Sequence, residues 1–139
     1  MKDLLQTEFG AITDLIHLHA VEAPARHALM QGQRVLGYAA LDAMMDRVAS
    51  ALQRDGLKPG DAIAICANMS IEYAAVFLGA LRAGVVVAPL APSSTPDSLA
   101  RMIADADARL VFTDAACATA ATVTRIALDD AGVSHQWPP

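Results

Sequence analysis

A doubly wound α/β fold is what this sequence predicts: a parallel sheet built as β-α-β-α-β with helices on both faces, preceded by a helix and a short β-hairpin. Three observations carry the prediction. Two short apolar runs, at 62–67 and 85–90, are bounded by Gly, Pro and Asn, as strands buried on both faces are. The stretch between them, 70–83, has helical spacing, so the three pieces form a crossover unit, and a further helix and strand follow. The composition is 55% hydrophobic but only 4% aromatic and rich in alanine, which suits helices packed closely on a sheet better than a β-sandwich. A chain of 139 residues is about one domain and can bury a substantial core.

Taken in order, residues 12–23 place Ile12, Leu15, Ile16, Leu18 and Val21 at helical spacing, and Pro24 closes the segment. His17 and His19 are two apart and therefore on different helix faces, so they are not a metal pair and read as solvated or cap-bonded. Residues 27–38 carry a polar, Gly-containing centre, Gln31-Gly32-Gln33, between two apolar pieces, which is a hairpin signal. A long helix over 39–54 gathers Leu41, Met44, Met45, Val48, Ala51 and Leu52 on one face, the methionines as core filler. Gly56 stands where a left-handed C-terminal residue belongs, and Pro59-Gly60 turns the chain into the first sheet strand. Thr95-Pro96 supplies an N-cap and an N1 proline for a helix at 97–106, before a third buried strand at 109–114. A further helix is expected from 115–119. Residues 125–128 fit either a fourth strand or the end of that helix, and the tail beyond Gly132 reads as frayed.

Several classes are excluded. A formal net charge of −5 offers no basic footprint for nucleic acid or an anionic membrane. No window approaches the roughly 18 apolar residues of a membrane span. Asp3, Glu8 and Asp14 interrupt the N-terminal stretch where a signal peptide would be apolar. Cys66 and Cys117, the only cysteines, have no second Cys or His at metal-ligand spacing and read as reduced, packed thiols of a cytoplasmic protein. There is no dinucleotide fingerprint, no P-loop and no nucleophile elbow, and the pairs Asp105/Asp107 and Asp129-Asp130 read as solvated faces. No catalytic residue and no metal site is expected within this chain.

What remains is a turn at the crevice. Asn68 and Ser70 stand where the first strand ends and the next helix begins, so either side chain can cap that helix, and Glu72 puts negative charge at its positive end. The same place, outside the carboxyl ends of the strands, is where open α/β sheets bind ligands.

The order of the pieces adds a family. Leu36-Gly-Tyr38-Ala-Ala-Leu-Asp42, Gly56-Leu-Lys-Pro-Gly-Asp61, Asn68-Met-Ser-Ile-Glu-Tyr73, Phe77-Leu-Gly-Ala-Leu-Arg-Ala-Gly84 running on to Pro89, and Leu110-Val-Phe-Thr-Asp114 follow one another. This series resembles the N-terminal portion of the AMP-forming acyl- and aryl-CoA synthetases, the adenylate-forming superfamily that also holds luciferases and peptide-synthetase adenylation domains. The match runs over about 12–114, with 115–139 a weakly ordered or continuing segment. The resemblance implies a parent enzyme that uses ATP and Mg²⁺ to convert a small-molecule carboxylic acid to an acyl-adenylate and then to a thioester with CoA. It places Ser93 and Ser94 in a loop on the CoA side, although the cation common in that loop is missing here. Gly37 and Ala40 likewise replace a capping Thr and its Glu partner. The phosphate loop, the adenine and ribose motifs and the C-terminal domain of the family all come later than this chain reaches. The piece alone is therefore expected to be inactive, to bind none of these cofactors tightly, and to have the remainder of the ligase chain as its partner. Two other readings stay open: a non-catalytic interaction module or half of a split enzyme, and a small flavodoxin-like nucleotide-binding domain.

Overall fold

A computed structural model describes residues 11–118 and 121–128. In chain order these form α1 (Ile12–Glu22), β1 (His27–Gln31), β2 (Arg34–Gly37), α2 (Tyr38–Arg54), β3 (Ala62–Cys66), α3 (Ile71–Arg82), β4 (Val86–Leu90), α4 (Pro96–Asp105), β5 (Ala108–Thr113) and β6 (Thr124–Ala127). β1 and β2 make an antiparallel hairpin, and the other strands form a parallel sheet in the order β4-β3-β5-β6.

Strand parity explains the layers. Side chains alternate along a strand, so Ile63 and Ile65 of β3 and Leu110 and Phe112 of β5 point to one face. There they pack against α2 and α3. Ala64 of β3 and Val111 of β5 point to the other face, where Ile103 of α4 covers them. The helices thus lie on both faces, as β-α-β connections running in opposite directions along the sheet require. α1 and the hairpin add a smaller cluster, in which Ile16, Leu41 and the fully buried Met45 meet Leu29 and Leu36.

Local signals account for most element ends. α2 stops in a Schellman motif: Leu57 N–H donates to the Leu52 carbonyl and Gly56 N–H to that of Gln53, with Gly56 at φ +88°. Gly60, at φ +92°, completes the Lys58–Asp61 turn, closed by a 2.9 Å bond from Asp61 N–H to the Lys58 carbonyl. The start of α2 has no side-chain cap, as Gly37 and Ala40 imply. Its first donors are met by backbone instead: Tyr38 N–H reaches the Arg26 carbonyl and Ala39 N–H that of Pro24. A Cβ at Gly37 would stand 3.2 Å from the Pro24 carbonyl oxygen, so a larger residue there requires that carbonyl to give by a few tenths of an ångström.

Three expectations are corrected. The run at 85–90 is not buried on both faces: β4 is an edge strand, Val86 is 52% exposed, and Pro89 occupies a place where a residue without an N–H is tolerated. Residues 115–118 are not helical, because the Asp114 carboxylate accepts from Ala116 N–H at 2.9 Å and holds the chain in a turn that competes with a helix. The two histidines are not merely solvated. His17 Nδ1 lies 3.0 Å from Asp42 Oδ2, and the His19 ring stacks on Tyr38 with centroids 4.8 Å apart. Of residues 125–128, left open between strand and helix, 125–127 belong to β6 and Leu128 follows it, while Asp129-Asp130 and the tail lie outside the described residues. Among the described residues no helix is long and apolar enough to cross a membrane.

Candidate functional site

In an open parallel sheet the crevice opens where neighbouring strands send their following loops in opposite directions. Here that place lies between β3, whose chain leaves towards β4, and β5, whose chain leaves towards β6. The loops concerned are 67–70 and 114–118, and their geometry decides what the crevice can do.

Ser70 is the N-cap of α3, its Oγ accepting from Tyr73 N–H at 3.0 Å. Asn68 does not cap. Its backbone N–H donates to Asp114 Oδ2 at 2.8 Å, while the other Asp114 oxygen holds Ala116. One carboxylate thus ties the tip of β3 to the turn after β5. Sequence reasoning treated Asp114 only as a strand end; the signal was present, since an Asp directly after a strand is a turn former that binds nearby backbone N–H groups. Beneath this tie lie Cys66, Leu99 and Cys117, all buried in one apolar cluster. The switch point is bridged and filled by the chain's own groups.

Glu72 points elsewhere. It is only 4% exposed, and its carboxylate is gripped by the guanidinium of Arg34, with Nη2 on Oε1 and Nη1 at 3.4 Å from Oε2. Gln31 joins in, its Oε1 accepting from Ile71 N–H at 3.0 Å and from Arg34 Nη1 at 3.2 Å. The helix-end charge anticipated from sequence is therefore part of a clamp that seats the hairpin on α3. Burial pushes the Glu72 carboxyl up, but the hydrogen bonds and charge of Arg34 outweigh it, and the net shift is below the ordinary 4.5. A group held low in the folded state contributes stability above its unfolded value, and that contribution fades as pH falls through the folded one. Glu72→Gln is expected to cost about 1.5 kcal/mol at neutral pH, a charged hydrogen-bond pair half open to water. Urea titrations of both proteins down to about pH 3 check this: the gap between them should narrow below pH ~4.5, and a constant gap would refute the ion pair's role.

Ser93 and Ser94 stand apart from that clamp, in the loop after the edge strand β4. Ser94 N–H donates to the Ala91 carbonyl at 3.1 Å, and Thr95 Oγ1 caps α4 by accepting from Ser98 N–H at 3.2 Å. With Arg101 and Asp105 these residues border a shallow hollow of about 540 Å³. The structure brings Asn68 together with Asp114 and Glu72 together with the hairpin, but it does not gather the five predicted residues into one site. Among the described residues no three His, Cys, Asp or Glu side chains converge on a point that could hold a metal ion. Nor do the loops supply a glycine-rich cradle for a triphosphate. The described residues do not by themselves fit Mg²⁺ and ATP.

A model of a family described as "AMP-binding enzyme" matches residues 16–137. Malpibaldin synthetase of Mortierella alpina is 37% identical over 92 residues, 66% of this chain and 2% of that protein. Oxalate–CoA ligase of Arabidopsis thaliana is 33% identical over 104 residues, 73% of this chain and 20% of that protein. The N-terminal subdomain of NpsA from Klebsiella oxytoca superposes with a TM-score of 0.78 at 23% identity, covering 94% of this chain and 34% of that one, a likeness of fold. The chain thus spans about a third or less of the length of each of these three proteins.

Proposed function

This chain belongs to the AMP-binding enzyme family of adenylate-forming enzymes, and from that premise we propose that it is the N-terminal α/β piece of an ATP-dependent, AMP-forming carboxylate–CoA ligase. The reaction proposed for the parent enzyme is activation of a carboxylic acid as its acyl-adenylate with release of pyrophosphate, then transfer of the acyl group to the thiol of CoA with release of AMP. The observation that carries the reading is the family match over 16–137, combined with a switch point that the chain fills with its own groups. A sheet bridged there is a scaffold for a site completed by other residues. In this reading ATP and Mg²⁺ are held by residues beyond those described, and the partner of this piece is the rest of the ligase. Ser93 and Ser94 face the acceptor side, and Asn68, Ser70 and Glu72 are structural. The oxalate–CoA ligase relative supports CoA as the acceptor, whereas similarity to a probable nonribosomal peptide synthetase, CymA of Salinispora arenicola, 30% identical over 130 residues, favours a carrier-protein thiol.

Isothermal titration of the purified chain with Mg²⁺·ATP, and then with an acyl-sulfamoyl adenylate, tests the proposal. No binding heat is expected, and no carboxylate-dependent exchange of pyrophosphate into ATP. A longer product carrying this segment with the family's later motifs should show both, with thioester formation on CoA. Micromolar binding by the 139-residue chain alone would make it a self-sufficient nucleotide-binding domain. Loading of a carrier thiol in place of CoA would move the parent to the peptide-synthetase branch.

A further inference from the structure

The sequence holds two cysteines 51 positions apart, and the topology brings them together. Cys66 ends β3, directly across the ladder from Thr113 of β5. Four residues on, Cys117 N–H donates to the Asp114 carbonyl at 3.2 Å, and this turn folds the chain back over the end of the sheet. Both thiols are free and buried, at 0% and 7% exposure, in one cluster with Leu99, against which Leu90 and Met102 pack. The Cys117 thiol is near enough to Cys66 to disfavour its ionisation. Asp114 pins both flanks of the pair, through Asn68 N–H on one side and Ala116 N–H on the other.

We propose that Cys66 and Cys117 are a peroxide-sensitive dithiol site that closes to an intramolecular disulfide across the switch point of the sheet. The two sulfurs have different parts. Cys66 sits at the end of the central strand. Burial, and then the neighbouring thiol, push it up to about 12, so it stays protonated at rest. Cys117 lies under a single turn whose neighbours Ala115, Ala116 and Ala118 are exposed, and opening that turn breaks few bonds. Cys117 therefore meets the oxidant first. Its thiolate sulfur attacks one peroxide oxygen; the S–O bond forms, the O–O bond breaks, and the leaving hydroxide takes up a proton as water. The Cys66 sulfur then attacks the sulfenic sulfur; the S–S bond forms, the S–O bond breaks, and hydroxide leaves with the Cys66 proton as a second water. The two sulfurs have given two electrons to the peroxide, and a thiol reductant reverses the change. The irregular backbone of 114–118 supplies the adjustment that disulfide geometry requires. The closed form fastens the loop after β3 to the loop after β5.

Hydrogen peroxide treatment of the 139-residue chain, quenching with N-ethylmaleimide and intact mass measurement test this. The expected product is a monomer that has lost both alkylation sites and both thiol hydrogens, yields a Cys66–Cys117 peptide, and regains both sites with dithiothreitol. In Cys66→Ser, dimedone should trap a sulfenic acid on Cys117. In Cys117→Ser, loss of the Cys66 alkylation site should slow by about tenfold or more, since thiolate character and access decide the rate. Three outcomes would overturn the proposal: disulfides only between chains, Cys117 over-oxidised while Cys66 still alkylates, or no change at a peroxide dose that oxidises the urea-unfolded chain. The wild-type masses decide the matter even if a variant fails to fold.

Discussion

Gly79→Ala is expected to destabilise the protein by about 2 kcal/mol, although the same change in an exposed helix stabilises by about 1 kcal/mol. The reason is the crossing of α3 over α2. A Cβ at position 79 would lie 2.5 Å from both Cβ and Cγ1 of Val48 and 3.0 Å from the Met45 carbonyl oxygen. No rotamer moves the Val48 Cβ, so the helices themselves must separate. Parting them loosens Val48, Leu52 and Val76 in the main core. Urea denaturation of Gly79→Ala, Val48→Ala and the double variant checks the mechanism. The double variant should be more stable than the two single losses added together by only about 0.5 kcal/mol, because Val48→Ala removes the Cγ1 contact but keeps the Cβ one. A stabilised Gly79→Ala would mean that the helices have room to spare.

Arg82→Ala should cost about 3 kcal/mol, the largest loss expected from any charged residue here. The guanidinium joins three helices. Nη2 donates to Asp42 Oδ1 at 2.7 Å and to the Thr13 carbonyl at 3.1 Å, while Nη1 donates to the Asp42 carbonyl at 3.1 Å and to Asp46 Oδ1 at 2.9 Å. The Arg82 and Asp42 side chains are only 18% and 13% exposed, so removing the cation strands a carboxylate and two carbonyls with little water to take over. Burial raises the Asp42 carboxyl, and the bonds from His17 and Arg82 more than offset it, leaving the net shift downward. Arg82→Lys should recover less than half of the loss, since an ammonium cannot present the planar fork that spans these oxygens. The loss should persist at about 1 M salt, where an exposed pair would be screened away. A cost below about 0.5 kcal/mol, or one abolished by salt, would reduce the network to a surface ion pair.

Both predictions concern features that local sequence could not display. Gly79 and Arg82 sit inside an amphipathic helix that periodicity reads correctly, yet periodicity is silent on which helix crosses it and how closely. The edge position of β4 was hidden for the same reason. Val-Val-Ala-Pro-Leu is as apolar as the central β3, and only the strand order shows that one of its sides goes unpaired. Asn68 and Ser70 looked like equal candidates for one cap until the fold gave the cap to Ser70 and tied Asn68 to Asp114, 46 positions away.

Local chemistry was legible because it is carried by short-range physics. Gly56 and Gly60 mark left-handed turns, Thr95-Pro96 opens a helix and short apolar runs become strands, and together they name the α/β class, while the order of the motifs from Leu36 to Asp114 carries the resemblance to the adenylate-forming family. Other assignments needed partners distant in the chain. Glu72 became half of a hairpin clamp because Arg34 reaches it, and the two cysteines became neighbours because β3 pairs with β5. The helix expected after Asp114 gave way to a turn because a carboxylate there found backbone donors on two loops. The sequence by itself determined which segments bury their faces and where they end, since those depend on residues a few positions apart. Only the tertiary structure decided which buried charges and thiols meet, because such contacts rest on strand order and helix crossings that no local spacing records.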